Sequence, residues 1–205
     1  MLAEQIAPSI QNQDVVVLAL PRGGVPVGFE ISQKWNTDLD IFVVRKLGVP
    51  GQEELAMGAV ASGGVRVLND ATIRELRISQ GEIERATERE KQEIARREAA
   101  YREGRPALNI QGRTAVLVDD GLATGATMLA AAKAVRRRSA ARIVVAVPVA
   151  SREACEEFRS HVDEVVCAAM PRPFYAVGLW YEDFSQTSDA EVRQLLEQAA
   201  GQRVT

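Results

Sequence analysis

The stretch TAVLVDDGLATGATML, residues 114–129, runs an unbroken apolar segment into two adjacent acids and then into seven residues of glycine, threonine and small apolar side chains. An apolar strand without alternation is buried on both faces, which belongs to a parallel sheet covered by helices. A helix starts near Gly125, so the unit reads strand, loop, helix. In open α/β sheets ligands bind beyond the carboxyl ends of the strands. Asp119 and Asp120 stand at such an end.

Outward from this unit, similar runs recur at VVVLAL (15–20), IFVVRK (41–46), RIVVAVPV (142–149) and DEVVCAA (163–169), with helical stretches between them. They predict an α/β fold with a parallel sheet of about five strands flanked by helices. One interruption differs in kind. ELAMGAVASGGVRVLND (54–70) reads as a hairpin around Ser62-Gly63-Gly64, within a flexible loop and hairpin at about 46–68. A long helical insertion follows at about 70–104, and Ser79 with Glu82 makes a capping box inside it. Its charges are dense and of both signs, over a thin apolar line at Ile83, Ala86, Ile94 and Tyr101, which predicts a solvated helix lying on the core. No repeat or low-complexity linker divides residues 1–205, so a single domain is expected.

The chain has 205 residues, 46% of them hydrophobic, and a formal net charge of -3. That balance argues against a broad nucleic-acid footprint, which recruits basic faces. Cys155 and Cys167 lie in unrelated local contexts without CxxC spacing, so no zinc cluster or redox pair is expected, and a reducing cytoplasm is the simplest location. The N-terminus lacks the pattern of a signal peptide, and the longest apolar run, IVVAVPVA (143–150), is too short to span a bilayer. No membrane partner is expected.

The opening stretch also carries chemistry. Backbone N–H groups from Gly121, Leu122, Ala123, Thr124, Gly125, Ala126 and Thr127, with the two threonine hydroxyls, can converge on a phosphate at a helix N-terminus. Two carboxylates beside that cradle would repel a second phosphate but accept hydrogen bonds from vicinal hydroxyls, so the ligand that suits the loop is a sugar phosphate. A Walker A loop would need a lysine, and none occurs before Lys133; the GxGxxG fingerprint is absent too. At LPRGGVPVG (20–28), Gly23 and Gly24 offer backbone donors at a helix start, and Arg22 supplies a permanent charge suited to a diphosphate.

VLVDDGLATGAT resembles the phosphoribosyl pyrophosphate (PRPP) motif of type I phosphoribosyltransferases, and the resemblance extends from residue 15 to about 185 in the expected order of parts. It is closest to a small bacterial branch of uncharacterised phosphoribosyltransferases. The resemblance implies that Asp119 and Asp120 hold the ribose and that LPRGGVPVG is a pyrophosphate loop with a non-proline cis peptide at Arg22. It further implies that RKLGVPGQEELAMGA (45–59) is a mobile catalytic loop whose Arg45 and Lys46 meet the leaving pyrophosphate. Glu53 and Glu54 are candidate proton-transfer groups there, Glu54 slightly preferred. MPRPFYAVGLWYEDFSQTSD (170–189) concentrates aromatics in a chain that is only 5% aromatic. It resembles the family's hood, about 170–187, with Phe174 or Tyr175 before Val177-Gly178 as the ring that stacks on the base.

Two departures argue against a 6-oxopurine acceptor. Ala123 stands where the hypoxanthine/guanine enzymes carry an acid, and VAVPVAS (145–151) lacks their lysine. Alanine at that position is normal in the adenine and orotate styles. His161, the single histidine, reads as surface structure. The expected activity is transfer of the 5-phosphoribosyl group from PRPP to a nitrogenous base, with magnesium and release of pyrophosphate. Its participants would be small molecules, and the family resemblance implies a homodimer. No protein residue is assigned to a metal. The alternative is a regulatory protein that binds PRPP or a nucleotide on the same fold without transfer.

Overall fold

In the computed structural model, which describes residues 1–123 and 125–201, the strands of the main sheet are mostly apolar. After two short helical turns, α1 (Leu2–Gln5) and α2 (Ala7–Ile10), come β1 (Val15–Ala19), α3 (Gly24–Trp35) and β2 (Asp38–Ile41). An inserted sheet follows: β3 (Val44–Val49), β4 (Gln52–Ala61) and β5 (Val65–Leu68). The insertion ends with α4 (Asp70–Glu75) and α5 (Gln80–Arg102). The chain then returns to the core with β6 (Thr114–Val118), α6 (Ala126–Arg137), β7 (Arg142–Val149), α7 (Arg152–Phe158) and β8 (Glu164–Ala169). A single 3₁₀ turn at Val177–Trp180 and α8 (Asp189–Gly201) complete the described residues.

The main sheet has the order β2-β1-β6-β7-β8, with every neighbouring pair parallel. All five residues of β1 and all five of β6 are buried, as unbroken apolar strands require. From β1 the chain crosses to β2 on one side and later resumes at β6 on the other. The crevice beyond Ala19 and Val118, which pair in register, is therefore the topological switch point of the sheet.

The structure corrects the second strand. The parallel strand ends at Ile41, and the apolar run continues into a separate antiparallel sheet, β3-β4-β5. Phe42 and Val43 are fully buried at the join, and Val43 exchanges hydrogen bonds with Ser62, whose hydroxyl accepts from the Val43 N–H at 2.8 Å. One apolar string thus serves two sheets. The expected hinge loop is drawn as the β3–β4 hairpin, bulged at Gly48 and turning at Pro50-Gly51, where Gly51 takes φ 78°. The turn at Ser62-Gly63-Gly64 forms as read, with positive φ at both glycines.

Ser79 caps α5 by accepting from the Glu82 N–H while the Glu82 carboxylate accepts from the Ser79 N–H, a complete capping box. Ile83, Ala86, Ile94 and Tyr101 are buried along that helix as predicted. The cysteines depart from expectation: Cys155 on α7 and Cys167 on β8 are joined in a disulfide. Their proximity comes from the packing of α7 on β8, which sequence spacing does not reveal. Among the described residues, no helix is long and apolar enough to cross a membrane.

Candidate active site

Two loops meet at the switch point. The loop after β1 is pinned to the end of β6 by the Leu20 N–H, which donates to the Val118 carbonyl at 2.8 Å. The Pro21–Arg22 peptide is cis, as the family resemblance implied. A Cβ on Gly23 would sit 2.0 Å from Asp120 Oδ2, and one on Gly24 would sit 2.5 Å from the Val118 carbonyl oxygen. These glycines are therefore required by close approach: the diphosphate-type loop and the acidic pair are in van der Waals contact.

Asp119 and Asp120 carry the electrostatics. The Asp120 N–H donates to Asp119 Oδ1 at 2.9 Å. Burial, reinforced by the neighbouring charge of Asp120, pushes the Asp119 carboxyl up to about 7. Burial also raises Asp120, against backbone hydrogen bonds that favour its charge. A desolvated acidic pair in a crevice is a candidate functional site.

The loop that follows, expected from the sequence to cradle a phosphate, is divided in its duties. Leu122 is a core plug: it is buried, its N–H donates to the Val149 carbonyl at 2.9 Å, and its carbonyl accepts from Ser151. Its N–H is thus unavailable to a ligand, contrary to the expectation of an unbroken row of donors. Gly121 lies beneath the Val177 side chain, whose methyls would be 2.6 Å from a Cβ there. Gly125 takes φ 68° as the residue preceding α6, so Ala126 and Thr127 open the helix with N–H groups that lack intrahelical acceptors. Ala123 is exposed beside them. Thr124 lies outside the described residues.

Lys46 is exposed on β3 and shares a cavity of about 450 Å³ with Thr127, Arg45 and Glu53. Arg45 is already engaged, its Nε donating to Glu90 at 2.9 Å. Glu54 does not line this cavity; adjacent strand residues point to opposite faces, and Glu53 is the one turned inward. The hood differs in the same way. Neither Phe174 nor Tyr175 lines the cavity of about 500 Å³ that contains Arg22, Gly23 and Asp120; the aromatics there are Tyr181 and Phe184, with ring centroids 5.2 Å apart. The Tyr181 hydroxyl donates to the Asp120 carbonyl at 2.5 Å, and burial together with the acidic pair pushes its own ionisation up to about 12. The sequence pattern pointed to Phe174 or Tyr175 instead. The Val-Gly pair drew attention upstream, whereas the chain turns back after it.

The donor set bears on magnesium. Among the described residues no group of three His, Cys, Asp or Glu could hold a metal ion. Mg²⁺ is commonly held by one or two carboxylates together with substrate phosphates. The pair Asp119 and Asp120 fits an ion that arrives on a diphosphate.

The family described as phosphoribosyl transferase domain matches residues 1–174. The chain belongs to the phosphoribosyltransferase family. Proteins from two strains of Mycobacterium tuberculosis, provisionally named phosphoribosyl transferases, are 46% identical over 198 residues, 97% of this chain. The chain spans 44% of the length of these curated relatives. The solved structure of TT1426 from Thermus thermophilus superposes with a TM-score of 0.84 at 43% identity, covering 96% of this chain and 93% of that one. In this member of the family the acidic pair and the first glycine loop meet at one switch point, while Tyr181 and Phe184 of the hood lie beyond the matched span.

Proposed function

We propose that the protein transfers the 5-phosphoribosyl group from PRPP to a nitrogen acceptor and releases pyrophosphate. The observation that carries this reading is the contact of Gly23 with Asp120 across the switch point, which sets a diphosphate-type loop against a hydroxyl-binding acidic pair. In this reading Asp119 and Asp120 accept hydrogen bonds from the ribose hydroxyls. In their ionised form they favour the positive charge that develops at the anomeric carbon. The Ala126 and Thr127 N–H groups receive the 5-phosphate at the start of α6. Arg22 and the Gly23-Gly24 backbone orient the leaving diphosphate, and Lys46 adds charge from the inserted hairpin, with Arg45 joining if it leaves Glu90. Glu53, rather than Glu54, is placed to take part in proton transfer.

Mg²⁺ bound with the diphosphate would neutralise part of the leaving group's charge, with Asp119 and Asp120 the protein carboxylates facing it. No covalent nucleophile is needed, because positioning and electrostatics supply the barrier reduction. Tyr181, tied to the Asp120 carbonyl, fixes the hood over the acceptor side and helps exclude water from an oxocarbenium-like centre.

The test is calorimetric titration with PRPP and Mg²⁺ of the wild type and of Asp119→Asn/Asp120→Asn, followed by release of pyrophosphate with a panel of bases. The wild type is expected to bind and the double variant to lose binding. Asp120→Asn alone should lower turnover by at least about tenfold, which corresponds to about 1.4 kcal/mol of barrier. Binding of PRPP without pyrophosphate release from any base would favour a sensor, and no binding at millimolar PRPP would remove the reading.

A further inference from the structure

Beside the first glycine loop lies a second chamber of about 400 Å³, of which the transfer reading uses only Arg22. Its walls are Arg22, Arg96, Arg97, Tyr101, Gln186 and Asp189, drawn from the first loop, the inserted helix α5, the hood and the start of α8. Three guanidinium groups converge there against two carboxylates. Glu93 accepts from the Arg96 side chain through two bonds of 2.8 and 2.9 Å and from the Arg97 Nε at 2.7 Å, which gathers the two arginines on one carboxylate. Asp189 enters from the other side: its Oδ1 accepts from the Tyr101 hydroxyl at 2.8 Å and from Arg22 Nη1 at 3.4 Å.

Those partners, the Tyr101 bond foremost, hold the Asp189 carboxyl below the usual range, so it remains an anion among cations. It is nevertheless exposed, and its contact with Arg22 is long, which makes it a replaceable occupant. Arg22 and Gln186 also line the cavity containing Asp120, Tyr181 and Phe184. The two chambers therefore share walls: the first offers aromatic faces, the second guanidinium donors.

We propose that the chambers together hold one acceptor, a flat ring against Tyr181 and Phe184 bearing a phosphate or carboxylate that enters the arginine chamber in place of Asp189. This rests on the transfer reading for the word acceptor, but the anion site stands on its own residues. Guanidinium groups pair with either anion, and an uncharged ring would leave Asp189 as the anion of this cationic chamber.

The experiment titrates inorganic phosphate, phenyl phosphate, acetate and benzoate into the wild type, Arg96→Ala/Arg97→Ala and Asp189→Asn. Of the two anion types, the preferred one should lose about tenfold in affinity in the double arginine variant, the loss expected for hydrogen bonds to charged groups. Asp189→Asn should tighten the same anion by about threefold, since an exposed competing charge is removed. The ring-bearing probe should bind more tightly than its parent anion. Phosphate and carboxylate acceptors are separated by which pair responds. Unchanged isotherms in the arginine variant, weaker binding in Asp189→Asn, or no gain from the ring would each overturn the proposal. Failure of the separate PRPP titration would remove the transfer reading and leave the result for this chamber unaffected.

Discussion

Asp119 shows at the scale of one residue what the site costs. Burial and the charge of Asp120 raise its carboxyl from 3.8 to about 7. In the unfolded chain it ionises near the lower value, so between the two the folded state holds a proton that the unfolded state has released. Stability contributed by this group therefore falls as pH rises through that window, and the full penalty is present above about 7. Asp119→Asn should melt above the wild type at pH 8, by at least the 2–4 °C that about 1 kcal/mol gives a chain of this size, with the gap closing towards pH 4. Thermal melts across that range check it, and a lower melting temperature at pH 8 would show that the acid is not a buried burden. Much at this scale was legible in the sequence, because adjacent acids at a strand end followed by glycines have few other uses. The choice of Glu53 over Glu54 and the place of Tyr181 were not. Which of two neighbouring glutamates faces inward depends on strand register, and which hood aromatic returns to the acids depends on the fold of a segment with little regular structure.

At the scale of elements, the proposed phosphate loop is supported by a helix that the motif does not contain. Gly125 precedes α6 at φ 68°, and a Cβ there would come within 2.3 Å of the Phe158 ring on α7. Gly104 also has positive φ, at 85°, but nothing lies within 4 Å of the same position. Gly104→Ala should therefore lose only the backbone cost of about 1–2 kcal/mol, whereas Gly125→Ala should lose more and bind PRPP less tightly. Urea denaturation of both variants measures the difference, and equal losses would show that Phe158 moves aside without cost. The strands of the main sheet were legible wherever an apolar run ended at a turn or an acid. Residues 41–46 were misjudged because Phe42 and Val43 stay buried while the chain passes from one sheet to another, and hydrophobicity does not mark that change. The disulfide escaped for a related reason, since α7 and β8 are joined by packing rather than by sequence pattern.

At the scale of the whole molecule, the matched span ends at residue 174, yet the hood and α8 lie beyond it and close the crevice. Val192, Leu196 and Ala199 are buried, and Leu196 belongs to the same apolar cluster as Ala19 at the end of β1 and Tyr101 on α5. The Leu196 carbonyl accepts from Arg105 Nη1 at 2.8 Å, which ties the return from the insertion to the last helix. A helix packed in this way joins the switch-point crevice to the arginine chamber through one core, so the proposed acceptor end of the site should not unfold before the proposed PRPP end. Leu196→Ala should cost about 2–5 kcal/mol, the range for a large-to-small change in a core. It should do so in a single transition, seen alike by far-ultraviolet circular dichroism and by fluorescence of Trp35 and Trp180. Trp35 reports on α3 and Trp180 on the hood, so coincident curves would mark residues 1–201 as one cooperative unit. Curves that separate, with the hood lost first, would mean that α8 and the hood form an appended cover, and the single-domain reading would give way to a core with a detachable acceptor side.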